Sequence, residues 1–249
     1  KKFKMEEKIS AIVLTKNEEE NIKECLESVL WCNELIVVDD FSDDETVKIA
    51  EKMRAKVFKR KLSGNFSSQR NFALSKASGD WVLFLDADER VSKDLALEMK
   101  KAIKENNFSG FYLKRKDIFF RKILDYGEAG NIKLLRLAKR ASGKWQRSVH
   151  EVWKVKGNIG ILKNPLYHYS HPSISQFISQ INKFSSLHAK ELYRGGVRFK
   201  IFDLVCYPVG KFLLNYIIKR GFLDGSGGFI FAMMMSFHSF LARAKLKKI

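Results

Sequence analysis

Residues 79–89 read Gly79-Asp80-Trp81-Val82-Leu83-Phe84-Leu85-Asp86-Ala87-Asp88-Glu89. A run of large apolar residues this short, bounded by acids on both sides, fits a strand buried on both faces. Such strands belong to mostly parallel sheets that helices cover on either side. In open α/β sheets ligands bind beyond the carboxyl ends of the strands, and this strand ends in two carboxylates one residue apart. Capping the next helix would use one of them and leave the other unexplained. An Asp-x-Asp in this place brings two oxygen ligands within reach of one hard cation, and oxygen ligands suit Mg²⁺ or Mn²⁺.

Working outward, the neighbouring segments alternate in type. Residues 9–14 and 35–38 are short β-branched runs that read as buried strands, and 55–58 is a weaker one. Helical spacing appears over 19–30 (Ile22, Leu26, Val29, Leu30), 44–53 (Val47, Ile49, Ala50, Met53), 67–77 and 92–105, the last with Ser92 as its N-cap. Strands alternating with helices imply βαβ units, hence an α/β domain of Rossmann-like type. Two more acidic clusters follow predicted strands: Thr15-Lys16-Asn17-Glu18-Glu19-Glu20, and Asp39-Asp40-Phe41-Ser42-Asp43-Asp44. Asp43 or Asp44 reads as a helix cap. Three acidic clusters along one sheet edge repel one another unless a cation or hydrogen-bond donors offset them.

Residues 108–163 are strand-like and turn-rich and predict short, partly antiparallel strands completing the sheet. From about 173 the pattern turns helical. The chain therefore divides into a catalytic domain over 1–170 and a helical, basic and apolar extension over 171–249.

With 45% hydrophobic and 30% charged residues in 249, the chain carries enough apolar side chains for a core and is not a disordered tail. Its net charge of +18 is unevenly spread: residues 1–104 hold 20 basic and 20 acidic residues, and 105–249 hold 26 and 8. That asymmetry points to a polyanion or an anionic membrane as partner of the second part. No zinc spacing or RNA-recognition motif is present, so nucleic acid is not expected. Three cysteines at no ligand spacing exclude a disulfide framework and fit a reducing compartment. The first residues show no apolar stretch of the kind a secretory leader needs.

Three runs in order carry a resemblance: IleValLeuThrLysAsnGluGluGluAsn (12–21), ValValAspAspPheSerAspAspGluThr (37–46), and GlnArgAsnPheAlaLeuSerLysAlaSerGlyAspTrpValLeuPheLeuAspAlaAspGlu (69–89). Together they resemble glycosyltransferase family 2. SerValHisGlu (148–151), TyrHisTyrSer (167–170) and GlyPheLeuAspGly (221–225) extend the likeness toward the branch that holds lipopolysaccharide-core β-glucosyltransferases. The resemblance implies a GT-A fold and inverting transfer from a nucleotide-diphosphate sugar, with uridine favoured as the base. It implies donor-binding roles for Thr15, Asn17 and Glu18 after the first strand, and for Asp39 and Asp40 after the second, Asp40 at the base. Asp86 falls near the ribose, Asp88 on the metal, and Arg70 and Asn71 precede the fourth strand. Arg70 is a candidate for the diphosphate, because a guanidinium offers a bidentate fork. Arg136 matches a branch position, against the alternative of an ordinary surface arginine on a strand.

The chemistry adds a requirement. Charge builds on the departing diphosphate and needs cationic stabilisation. The acceptor hydroxyl needs a carboxylate base on the other face of the sugar. Residues 105–151 hold few acids; Glu151, in Val149-His150-Glu151, is the expected base and Glu128 its rival. His150 is expected in the metal shell or at the diphosphate, against a plain structural role.

The stretch 199–218 is apolar with scattered charges, and 226–242 is uncharged before Arg243, Lys245, Lys247 and Lys248. The expectation is helices lying at an anionic membrane surface; a spanning helix and an oligomer contact are the alternatives. The protein is then a peripheral enzyme at the cytoplasmic face of the inner membrane, acting on a glycan or glycolipid acceptor. Two other classes share parts of this pattern. A receiver-like signalling domain needs its acid pair after the first strand, and here the pairs follow the second and fourth. A non-catalytic nucleotide- or polyanion-binding module would yield no glycan product.

Overall fold

The computed structural model describes residues 7–105, 107–119, 122–147, 151–171 and 173–248. The predicted alternation is observed: β1 (Ile9–Thr15), α1 (Ile22–Glu27), β2 (Glu34–Asp39), α2 (Thr46–Lys52), β3 (Lys56–Lys59), α3 (Phe66–Lys76) and β4 (Trp81–Asp86). A short β5 (Glu89–Val91) and α4 (Lys93–Glu105) follow, and Ser92 Oγ accepts from the Leu95 amide at 3.1 Å as the expected cap. Asp44 lies one residue ahead of the α2 N-cap, Glu45, and accepts from the Thr46 amide at 3.0 Å, so neither Asp43 nor Asp44 is the cap itself. The strand-like middle forms β6 (Gly110–Phe119), β7 (Lys122–Leu124), β8 (Ile132–Lys139), β9 (Gly143–Gln146), β10 (Val152–Val155) and β11 (Ile159–His171). The helices α5 (Ile174–Arg194), α6 (Asp203–Leu213) and α7 (Gly225–Lys245) complete the chain.

The main sheet has the order β3-β2-β1-β4-β8-β6-β11-β5, with β7 paired to β6; β9 and β10 form a separate hairpin. β3, β2, β1 and β4 run parallel. β8 is antiparallel to β4, and β5 to β11. Alternation along the parallel strands separates two cores. Ala11, Val13, Val37, Leu83 and Leu85 pack on one face with α1 and α4 residues. Ile12, Ile36, Val38, Val82 and Phe84 pack on the other with α3, Trp145 and Trp153. Both faces are dry because apolar side chains alternate with apolar side chains, as a doubly covered parallel sheet requires.

One polar knot lies at the opposite, N-terminal end of the strands. Glu34, almost fully buried, accepts from Ser10 Oγ at 2.6 Å, Lys56 Nζ at 2.8 Å and the Ser78 amide at 2.9 Å. Burial pushes its carboxyl up, but these donors outweigh it and hold the group at about 2. Gly79 closes the same knot; a Cβ there would sit 2.8 Å from the Ser10 amide nitrogen.

The chain forms two compact units. The first comprises Lys1–Arg115 and Lys133–His168; the second comprises Lys116–Ile132 and Tyr169–Ile249. The division expected between 170 and 171 thus omits the excursion over 116–132, which belongs with the C-terminal helices. Leu124 and Ala129 from that excursion join Phe119, Phe177 and Ile181 in the second unit's own core, against Ile230, Phe231, Met234 and Met235 of α7. A sequence pattern shows that 116–132 is strand-like but not which core it completes. Among the described residues one helix, Gly221–Lys248, is long and apolar enough to cross a membrane by length and composition.

Candidate active site

The parallel register sets the rim. Thr15 is level with Asp39, and Leu14 with Asp86, so β1, β2 and β4 end together. The three acidic clusters expected along one edge are therefore brought together there.

Asp86 is the centre of a charged network. Arg70, on α3, donates from Nη2 to Asp86 Oδ1 at 3.0 Å and from Nε to Glu151 at 2.9 Å. Arg136, on β8, donates to the other Asp86 oxygen and reaches Glu89 at 3.4 Å. Both arginines are buried, so Arg136 is no surface residue. Arg70 also lies 4.7 Å from the Trp145 ring centre, which fixes the plane of its guanidinium. Its Nη1 is buried with no hydrogen-bond partner among the described residues. Asp86 keeps 36% of its side chain exposed. Burial pushes its carboxyl up, but the charges of Arg136 and Arg70 prevail and hold it well below the usual range. Glu89 is fully buried and accepts from the Asp86 amide at 2.9 Å. Burial drives its carboxyl upward, Arg136 opposes, and the Asp86 charge adds to the rise; the net direction is up.

Asp88 points elsewhere. Its Oδ2 lies 3.2 Å from His168 Nε2. The antiparallel register of β5 and β11 sets His168 opposite Glu89, which is how a residue 80 positions away meets this turn. Glu18 also feels this cluster: burial raises its carboxyl, a hydrogen bond from Asn21 lowers it, and Asp88 and Asp44 raise it further, for a net rise. Among the described residues no three His, Cys, Asp or Glu side chains are grouped closely enough to hold a metal by themselves. A hard divalent ion that keeps water and substrate phosphate in its shell needs only one or two protein ligands. Asp88 with His168 fits an ion of that kind. His150 lies outside the described residues.

The remaining expected residues divide by what they touch. Asp39 is fully buried and accepts from the Ser42 amide at 2.9 Å and the Ser42 hydroxyl at 2.5 Å. Asp40 accepts from the Leu62 amide at 2.9 Å. Asn17 has a left-handed backbone (φ 53°), and its Oδ1 accepts from the Asp43 amide at 3.1 Å, tying the first rim loop to the second. The Glu18 amide donates to Thr46 Oγ1 at 2.8 Å. The Thr15 hydroxyl is buried with no partner among the described residues. Asn71 holds the Trp145 backbone from both sides, donating to its carbonyl at 2.8 Å and accepting from its amide at 2.9 Å. In this structure its amide is a clamp on β9. Glu128 belongs to the second unit, where it accepts from Lys211 Nζ at 2.5 Å.

His168 and Glu89 were not singled out as site residues from the sequence. His168 lies in the run 167–170 that carried part of the resemblance, which was its only signal. Glu89 reads as one more acid in a cluster, and only the fold shows it to be buried.

A parallel sheet with an antiparallel extension, edged by an Asp-x-Asp turn and clasped by arginines, defines a sugar-transferring enzyme of GT-A type. Residues 10–150 match the profile of glycosyl transferase family 2. An uncharacterised glycosyltransferase of Rickettsia felis is 34% identical over 97% of this chain and 90% of its own. The lipopolysaccharide core biosynthesis glycosyltransferase LpsC of Rhizobium meliloti is 28% identical over 96% and 91%. The crystal structure of S. aureus TarS 1–349 in complex with UDP superposes with a TM-score of 0.52 at 19% identity, covering 97% of this chain and 91% of that one. Glucosyl-3-phosphoglycerate synthase of Mycobacterium tuberculosis, in complex with Mn²⁺, UDP and glucosyl-3-phosphoglycerate, gives 0.51 at 18%, covering 77% and 81%. The chain belongs to glycosyl transferase family 2 and is a glycosyltransferase.

Proposed function

We propose that this enzyme moves a sugar, with inversion, from a UDP-sugar to a hydroxyl of a cell-envelope glycan or glycolipid. The observation that carries the reading is the division of labour in one turn: Asp86 is clasped between Arg70 and Arg136, while Asp88 faces His168. The names of LpsC and the bound ligands of the two solved structures support the acceptor class, the nucleotide and the ion. Thr15, Asn17, Glu18, Asp39 and Asp40 line the nucleoside end. Asp86 lies toward the ribose, with Arg136 and Asn71 holding its surroundings. Asp88 and His168 would hold a Mg²⁺ or Mn²⁺ ion, which when bound would offset charge on the diphosphate.

The chain's own groups account for the rest. The acceptor O–H gives its proton to a carboxylate of Glu151 as the oxygen bonds to the anomeric carbon. The bond from that carbon to the diphosphate oxygen breaks with its electron pair, and the opposite face inverts. Arg70, with one buried donor unpartnered, stabilises the leaving charge. Its hydrogen bond to Glu151 fixes where that carboxylate points. All three cysteines are free thiols, which agrees with the cytoplasmic side of the inner membrane.

The test uses the whole chain with a panel of UDP-sugars and Mn²⁺. Glu151→Gln keeps nucleotide-sugar binding and loses transfer by roughly 10²-fold or more. Asp88→Asn loses the rise in melting temperature that UDP and Mn²⁺ give together. Normal turnover by Glu151→Gln removes Glu151 as the base, and the absence of any glycan product with all donors overturns the reading.

A further inference from the structure

The helix α6, continued as a π-turn over Leu214–Ile218, carries two unlike faces. Leu204, Pro208, Phe212 and Asn215 point inward; the Pro208 carbonyl accepts from Ser236 Oγ of α7 at 2.8 Å, and Asn215 is buried. The other face holds Phe202, Val205, Val209, Leu213 and Ile217, exposed by 79, 64, 51, 46 and 51%. Their spacing of three or four residues draws them into one stripe along the helix. Ile201 and Ile218 widen it at the ends. No charged residue lies on this face between 201 and 218: Lys211 pairs with Glu128, and Asp203 lies 3.9 Å from Arg243. Exposed Arg198 and Lys200 flank one end, and exposed Lys219 and Arg220 the other. A contiguous apolar face of this size on a soluble surface marks an interaction site.

We infer that this stripe is the surface by which the enzyme lies on an anionic lipid membrane, with α6 in the plane of the headgroups. The charge pattern selects the occupant. A second copy set on the stripe, in either direction, would bring basic ends against basic ends, with Asp203, the only acid between 194 and 223, already facing Arg243. Anionic headgroups meet both ends favourably, at about 1 kcal/mol per basic residue near the surface. At about 1.5 Å per residue, 203–218 is roughly 24 Å long and bounded by charge at both ends, the length and ends of a helix that lies flat. The longer α7 packs Phe231, Met234 and Met235 against the second unit's own core, whereas the stripe on α6 has no such partner among the described residues.

The experiment is cosedimentation of the full chain with phosphatidylcholine vesicles, plain or containing roughly one-third phosphatidylglycerol. Binding is read without turnover, so this result and that of the transfer reading stand apart. The wild-type protein sediments with the anionic vesicles only. Val205→Asp with Val209→Asp lowers the bound fraction roughly tenfold or more at an unchanged melting temperature. Lys219→Glu with Arg220→Glu, which leaves Arg198 and Lys200 in place, weakens binding to the phosphatidylglycerol vesicles, and unchanged binding overturns the inference. As a check that needs no disruptive variant, exposed Cys206 beside the stripe takes an environment-sensitive fluorophore, whose emission shifts to the blue on anionic vesicles. Equal sedimentation of the double-Asp variant, or no spectral shift, overturns the inference. So does a wild-type protein that ignores vesicles and dimerises through this face.

Discussion

Replacing Arg136 by Met tests the network that holds the Asp-x-Asp turn. Met keeps much of the apolar stem and removes the charge. Arg136 is buried and faces two carboxylates, Asp86 and a fully buried Glu89. Breaking a buried pair by removing one partner costs about 3–5 kcal/mol, because the remaining charge is left uncompensated. Glu89 accounts for most of that figure. Asp86 is 36% exposed and keeps Arg70, so water and a second cation screen its loss. For a chain of this size each kcal/mol moves the melting temperature by about 2–4 °C, so Arg136→Met should melt roughly 6–20 °C lower at pH 7.

The pH dependence separates this cause from lost packing. Glu89, already raised in the native protein, rises further without Arg136. A raised carboxyl costs nothing below its unfolded value, and its penalty grows as pH climbs from there to the folded value and is constant above it. Asp86 adds nothing to this window, because a lowered carboxyl stabilises fully above its unfolded value and loses that benefit only as pH falls below it toward the folded one. The gap between wild type and variant should therefore narrow steadily from pH 7 to pH 4 in differential scanning calorimetry. A gap that is the same at every pH, or below about 1 kcal/mol at pH 7, refutes the reasoning.

Two further perturbations address the frame around the site. Glu34→Gln should cost about 3 kcal/mol at pH 7, from a carboxyl held at about 2 against an ordinary 4.5. Because that carboxyl is lowered on folding, the loss is full above pH 4.5 and vanishes as pH falls toward 2; acid titration of the two proteins by circular dichroism checks it. Asn71→Ala should cost about 1–3 kcal/mol by stranding the Trp145 amide and carbonyl, read as a lower urea midpoint with an unchanged slope.

The sequence alone determined the layered α/β core and the place of its chemistry. Runs such as 81–85 are apolar at every position, and only a strand covered on both faces satisfies that pattern. The acids after β1, β2 and β4 follow from the same reading, because parallel strands deliver their carboxyl ends to one rim. Family membership was legible for the same reason: the motifs of 12–89 are continuous in the chain. Tertiary structure alone decided the partnerships. Arg70, Asp86, Arg136 and Glu151 come from three elements and a loop, and nothing local in any of them states which guanidinium meets which carboxylate. His168 reaches Asp88 through an antiparallel register that no periodicity encodes. Asn71 is adjacent to Arg70 in the chain, and only the fold shows its side-chain amide on the Trp145 backbone. The excursion over 116–132 joins the second unit because its apolar side chains fit that core, a choice set by shape complementarity between segments far apart in the chain. Local pattern fixes which faces must be buried; only packing fixes against what.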